Sequence, residues 1–130
     1  MSSYTKLNLR HEVEDQAPKF GMEGIEFRMG RVPLELENLG LSYQRLAPNF
    51  RLPFGHTHKQ QEEVYVIVNG SARIKLDDDV VDLKSWDAVR VHKGTMRSIE
   101  AGPEGAEIIA VGAPSTGPGD ADLEQGWWSD

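Results

Sequence analysis

The sequence predicts an all-β domain of short antiparallel strands closed into a sandwich or barrel. Two observations carry this. Roughly eight short segments rich in β-branched and aromatic residues recur along the chain, with turn residues between them. Long stretches of helical periodicity are absent. With 130 residues and no internal repeat, the chain fits one domain.

Residues 1–24 read as a polar N-terminal arm, with one helical turn expected before Pro18. The barrel is expected over residues 25–113. Its first strands are Ile25–Met29 and residues 41–46. Residues 63–68, Glu-Val-Tyr-Val-Ile-Val, form a strand that Asn69-Gly70 closes as a two-residue hairpin turn. Residues 71–76 then alternate polar and apolar side chains, as a strand with one buried face does. Asp77-Asp78-Asp79 makes a turn, and residues 80–83 return alongside. This acidic run lacks the remaining ligands of a calcium loop. Residues 87–92, 97–101 and 107–111 supply the last strands. Residues 114–130 carry Pro114, Gly117, Pro118 and Gly119 and read as a loop and tail ending in Gly126-Trp127-Trp128. Trp86, Trp127 and Trp128 are expected as core, lid or interface anchors.

Composition narrows the function. A net charge of −7 repels phosphate backbones and anionic lipid surfaces, which argues against nucleic-acid and membrane partners. With no cysteine, disulfides, thiolate zinc sites and a cysteine nucleophile are excluded. The first residues lack the apolar core of a signal peptide, and no apolar run approaches the roughly 20 residues of a membrane span. A cytoplasmic protein is the expectation.

His56-Thr57-His58 is the segment richest in chemistry. On an extended strand both imidazoles project from one face, as two ligands of one metal must. After the turn 59–62, Glu63 opens the next strand and can stand opposite them. Two histidines and one carboxylate are a ligand set for zinc or non-haem iron that leaves positions open for water or substrate. Taken alone, such a pattern is more often a polar surface turn. Tyr43, Arg45, Tyr65 and Ile67 can line the interior by strand alternation, either as packing or as ligand contacts.

The stretch His56-Thr57-His58, four residues, Glu63, six residues, Gly70 resembles the first motif of the cupin superfamily, though its leading glycine falls on Phe50. The second motif falls on Trp86, His92, Gly94, Arg97 and Ala101, of which Gly94 alone matches. The resemblance spans residues 25 to 112 and implies a double-stranded β-helix, or jelly-roll barrel. It implies a divalent metal on His56, His58 and Glu63, with zinc, manganese, iron and nickel all suited, and a homodimer that pairs barrels through sheet edges. Arg97 stands where the family has its fourth ligand, a histidine. A guanidinium cannot ligate, and its charge about 4 Å from a divalent ion would cost roughly 8 kcal/mol at an effective dielectric of about 20. His92 is either a substitute third imidazole or a solvent-facing loop residue.

The leading reading is therefore a small-molecule-binding cupin with a metal in the barrel. Arg97, Tyr65 and Tyr43 meet a small anionic substrate, and the reaction is an oxygenation or isomerisation. Two alternatives stay open: a metal-free binding or sensor module in which Arg97 pairs with a carboxylate, and a dimeric structural domain without a ligand. The position of the Arg97 head group separates the first from the second.

Overall fold

A computed structural model describes residues 2–130, so Met1 of the arm lies outside the described residues. Eight strands form one curled antiparallel sheet: β1 Ile25–Met29, β2 Gly40–Leu46, β3 Phe54–His58, β4 Glu62–Leu76, β5 Asp79–Lys84, β6 Ala88–Val91, β7 Arg97–Ala113 and β8 Ala121–Gln125. The order β1-β2-β7-β3-β8 makes one path, and β4 pairs with β5, β6 and β7. This is the expected all-β jelly-roll fold. No helix among the described residues is long and apolar enough to cross a membrane.

Two long strands build the barrel. β4 and β7 pair antiparallel along nearly their whole lengths, from Glu62 opposite Ala113 to Leu76 opposite Arg97. The buried face of β4 carries Tyr65 and Ile67, then Ala72 and Ile74; that of β7 carries Ile99 and Ala101, then Ala106, Ile108 and Ala110. In both strands the inward positions switch from odd to even numbers part-way along. A strict period of two cannot do this, so each strand must absorb an extra residue at the switch. The register shifts between Ile67 and Asn69 and again between Gly70 and Ala72.

This corrects the expected hairpin at Asn69-Gly70. A type I′ turn needs positive φ at both central residues, but only Gly70 has it, at +78°. The strand bends there and continues. Gly105, at φ +84°, forms the matching irregularity in β7, and a Cβ on Gly70 would lie 2.1 Å from the Gly105 carbonyl oxygen. The reversal of the chain comes later, at Asp77-Asp78, between the partners Leu76 and Asp79.

The two ends depart from expectation as well. A 3₁₀ turn spans Ala17–Phe20 and so contains Pro18 rather than preceding it, as suits a proline in a first turn. The Asp15 carboxylate accepts bonds from Ala17 N and Phe27 N, and Val13 and Ala17 are buried, so the arm is fastened to β1. The tail is not only a loop. After a 3₁₀ turn at Pro118–Asp120 it forms β8, which pairs with β3 from Phe54 opposite Gln125 to His58 opposite Ala121. Trp128 is buried and Trp86 is exposed.

Candidate metal centre

Strand geometry gathers the side chains. His56 and His58 alternate along β3 and so share a face, and their rings lie 5.0 Å apart at 84°. Glu63 and Tyr65 share the inward face of β4. Arg97 opens β7 directly opposite His56 in register, which sends its side chain to the same side of the sheet. All five meet at one atom, Glu63 Oε1. Tyr65 Oη donates to it at 2.7 Å and Arg97 Nη1 at 3.1 Å, while His58 Nε2 stands 3.3 Å away and His56 Nε2 3.6 Å.

Arg97 is 1% exposed, the most enclosed charged group among the described residues. Its Nη2 donates to the His92 carbonyl at 2.7 Å, and its Nε has no partner. The head group therefore lies inside the cluster, held to Glu63. His92 joins through this backbone carbonyl, and its residue is exposed, so its imidazole stays outside the donor set. Tyr43 does not reach the cluster. Its register partner is Ile109 rather than the core residue Ile108, so it lies on the other face of β2, where its hydroxyl donates to Glu107 at 2.5 Å. Arg45, on that same face, is exposed, and Ile67 is fully buried core.

Asp120 is a site residue that sequence reading missed. It is 6% exposed, and its carboxylate takes three donors from the end of β3 and the turn after it: His58 Nδ1 at 3.0 Å, Gln60 N at 2.9 Å and Gln61 N at 3.2 Å. It lies 62 positions from His58, in a Gly-Pro-Gly-Asp context that reads as loop. The strand that delivers it, Ala-Asp-Leu-Glu-Gln, is mostly exposed and has no apolar alternation to announce it.

Electrostatics follow from these contacts. Burial would raise the Glu63 carboxyl, but the adjacent imidazoles of His56 and His58 and the bond from Tyr65 outweigh it and hold the group well below the usual carboxylate range. Burial pushes His56 below its ordinary value, favouring the neutral imidazole that a metal requires. The Tyr65 phenol is pushed up by burial and by the Glu63 charge. At Asp120, burial is again outweighed, here by Gln61 N–H, His58 and Gln60 N–H.

The donor set suits a divalent ion. His56, His58 and Glu63 each present one ligand atom, all within 4.8 Å of one another. Bonds of about 2.1 Å in a tetrahedral site put ligand atoms about 3.4 Å apart. The two imidazole-to-carboxylate separations, 3.3 and 3.6 Å, bracket that edge. A cleft of about 470 Å³ lined by Glu26, Arg45, Asn69 and Glu107 contains none of these residues, so chemistry rather than concavity locates the centre.

Neither a family model nor a curated protein sequence matches this chain. Solved structures do. A cupin protein from Bacteroides fragilis aligns over 91% of this chain and 90% of its own, at 22% identity and a TM-score of 0.72. Oxalate decarboxylase from Bacillus subtilis aligns over 94% of this chain at 25% identity and a TM-score of 0.78, and the match spans 32% of the decarboxylase chain. KdgF from a Halomonas species aligns over 88% of this chain and 94% of its own, at 18% identity and a TM-score of 0.68. The strand order around a gathered His-His-Glu set, and a likeness that runs nearly end to end against two small proteins, show that this chain has the fold of a small cupin-type domain.

Proposed function

We propose that this is a small-molecule-binding cupin whose barrel site takes a divalent metal on His56 Nε2, His58 Nε2 and Glu63. The observation that carries the reading is the convergence of these three donors at the spacing of a single coordination shell. Asp120 strengthens it. The Glu63 and Asp120 carboxylates together outweigh the Arg97 guanidinium by one negative charge, which offsets much of the repulsion Arg97 alone would exert on a cation. When bound, the metal supplies Lewis acidity to a substrate oxygen, or activates water or dioxygen.

The chain's own residues have separate tasks. Tyr65 and Arg97 donate to Glu63 and fix its orientation, while Asp120 accepts from His58 Nδ1 and fixes that ring. Arg97 is enclosed and doubly bonded, so it acts on the carboxylate rather than on a substrate. The likeness to oxalate decarboxylase, whose name specifies a small dicarboxylate, supports a small anionic substrate. Oxygenation and isomerisation are the reaction classes of this reading. Assembly as a homodimer belongs to it as well.

One observation favours the metal-free alternative: Arg97 Nη1 already donates to the oxygen a metal would use. Calorimetric titration of chelator-treated protein with zinc, manganese, iron(II) and nickel decides between them. We expect one metal per chain, lost in His58→Ala and tightened in Arg97→His, which supplies a third imidazole. If the native protein binds none of the four while Arg97→His gains binding, the guanidinium is the ion's replacement and the site is metal-free.

A further inference from the structure

The two histidines of the site are held very differently. His56 Nδ1 is buried without a hydrogen-bond partner. His58 Nδ1 lies 3.0 Å from Asp120 Oδ2, a carboxylate that also accepts the backbone N–H groups of Gln60 and Gln61. An ionised carboxylate can only accept, so Nδ1 of His58 must carry a proton. In the neutral ring this leaves Nε2 as a lone pair, and that lone pair faces Glu63 Oε1 at 3.3 Å. Two acceptors at this distance repel unless a cation stands between them, whether a metal ion or a proton on Nε2.

The geometry points to Asp120 as the positioning residue that fixes His58 in its Nδ1–H tautomer and aims Nε2 into the site, so that the 3₁₀ turn Pro118–Asp120 completes the metal centre. Asp120 ends the 3₁₀ turn Pro118–Asp120 and leads directly into β8, and the register places Ala121 opposite His58. Lys59 N donates to the Asp120 carbonyl at 2.9 Å, so backbone and side chain of one residue clamp the β3–β4 turn from both sides. The carboxylate cannot reach His58 unless β8 is docked on β3. By linkage, whatever binds at Nε2 then stabilises the docked segment to the same degree that docking favours binding. His56 has no such support and is the adjustable ligand of the pair.

This inference rests on the metal reading for its consequence, but the tautomer can be read without metal. ¹⁵N-detected imidazole spectra of the chelator-treated protein at neutral pH should show His58 protonated at Nδ1. In Asp120→Ala the ring should shift toward the Nε2–H form, and zinc affinity should fall about 10- to 100-fold. Asp120→Asn keeps an acceptor oxygen without the charge and should fall less, which guards against a variant that only undocks the tail. Asp122→Asn, at an exposed position of the adjoining β8, should leave both readouts at native values. An unchanged His58 tautomer in Asp120→Ala overturns the assignment. If the native protein binds no metal yet the tautomer shifts in Asp120→Ala, Asp120 keeps its positioning role and the metal reading is what fails.

Discussion

At the corner of the barrel Gly70 meets two demands at once: a backbone at φ +78° and a space in which any Cβ would lie 2.1 Å from a carbonyl oxygen. Gly70→Val adds strain of about 1–3 kcal/mol from the backbone alone, before the clash with Gly105. We expect the urea midpoint to fall by at least that equivalent, and an unchanged midpoint would show that the bend does not need glycine. Glu100 makes a pH-dependent contribution. Burial would raise its carboxyl, but bonds from Arg73 and Arg51 outweigh it and hold the folded value below the unfolded one. Its stabilisation is therefore complete above about pH 4.3 and is lost as pH falls through the folded value. Melting temperatures of the native protein and Glu100→Gln should differ at neutral pH and converge in acid; a constant gap would contradict the ion pair. Residues with local spacing were the legible ones. His56, His58 and Glu63 follow from strand alternation and one short turn, whereas the same alternation admits Tyr43 to the interior because a strand's parity does not reveal which face is inward. Nothing local to Arg97 marks it, and its place in the site is legible only from the motif position it occupies.

Among elements, the strands with a buried face were readable, since burial writes itself as alternation. β8 has no such face, and what holds it in place lies beyond it. Trp128 is 5% exposed, with the Arg51 guanidinium 4.3 Å and that of Arg73 5.4 Å from its ring centre. Trp127 lies against Gly55, where a Cβ would come 2.6 Å from the indole, and carries Lys75 over its ring at 4.5 Å. The indoles are thus anchors of the tail on β3 and β4. Trp128→Ala should cost about 3 kcal/mol by denaturant unfolding, and a loss below about 1 kcal/mol would mean the tail docks without it. The Asn69-Gly70 reading failed for a related reason. A dipeptide signals the backbone angles it permits but not whether the flanking strands reverse or continue, which the partner β7 decides.

For the whole molecule, β1 lies at one end of the sheet path, and apolar surface remains around it at Phe20, Met29 and Val32. A dimer that covers this edge is the expected outcome. Light scattering at micromolar concentration should return twice the 14.5 kDa chain mass, and the monomer mass would exclude it. The pairing scheme has a further consequence, in how the molecule opens. Val64, Tyr65 and Val66 have partners on both sides, in β6 and in β7. β3 is joined to β7 through one ladder pair, His56 and Arg97, and the bond from the Ser98 hydroxyl to the Phe54 carbonyl, and its longer pairing is with β8. Amide exchange should therefore be slowest in β4 and β7, at the free energy of global unfolding, and measurably faster in β3 and β8 as one sub-global unit. Equal protection in all four strands would remove that distinction. If the two rates separate, Glu63 sits on the permanent wall of the site and the two histidines on its door, so that metal or ligand can enter without the barrel coming apart.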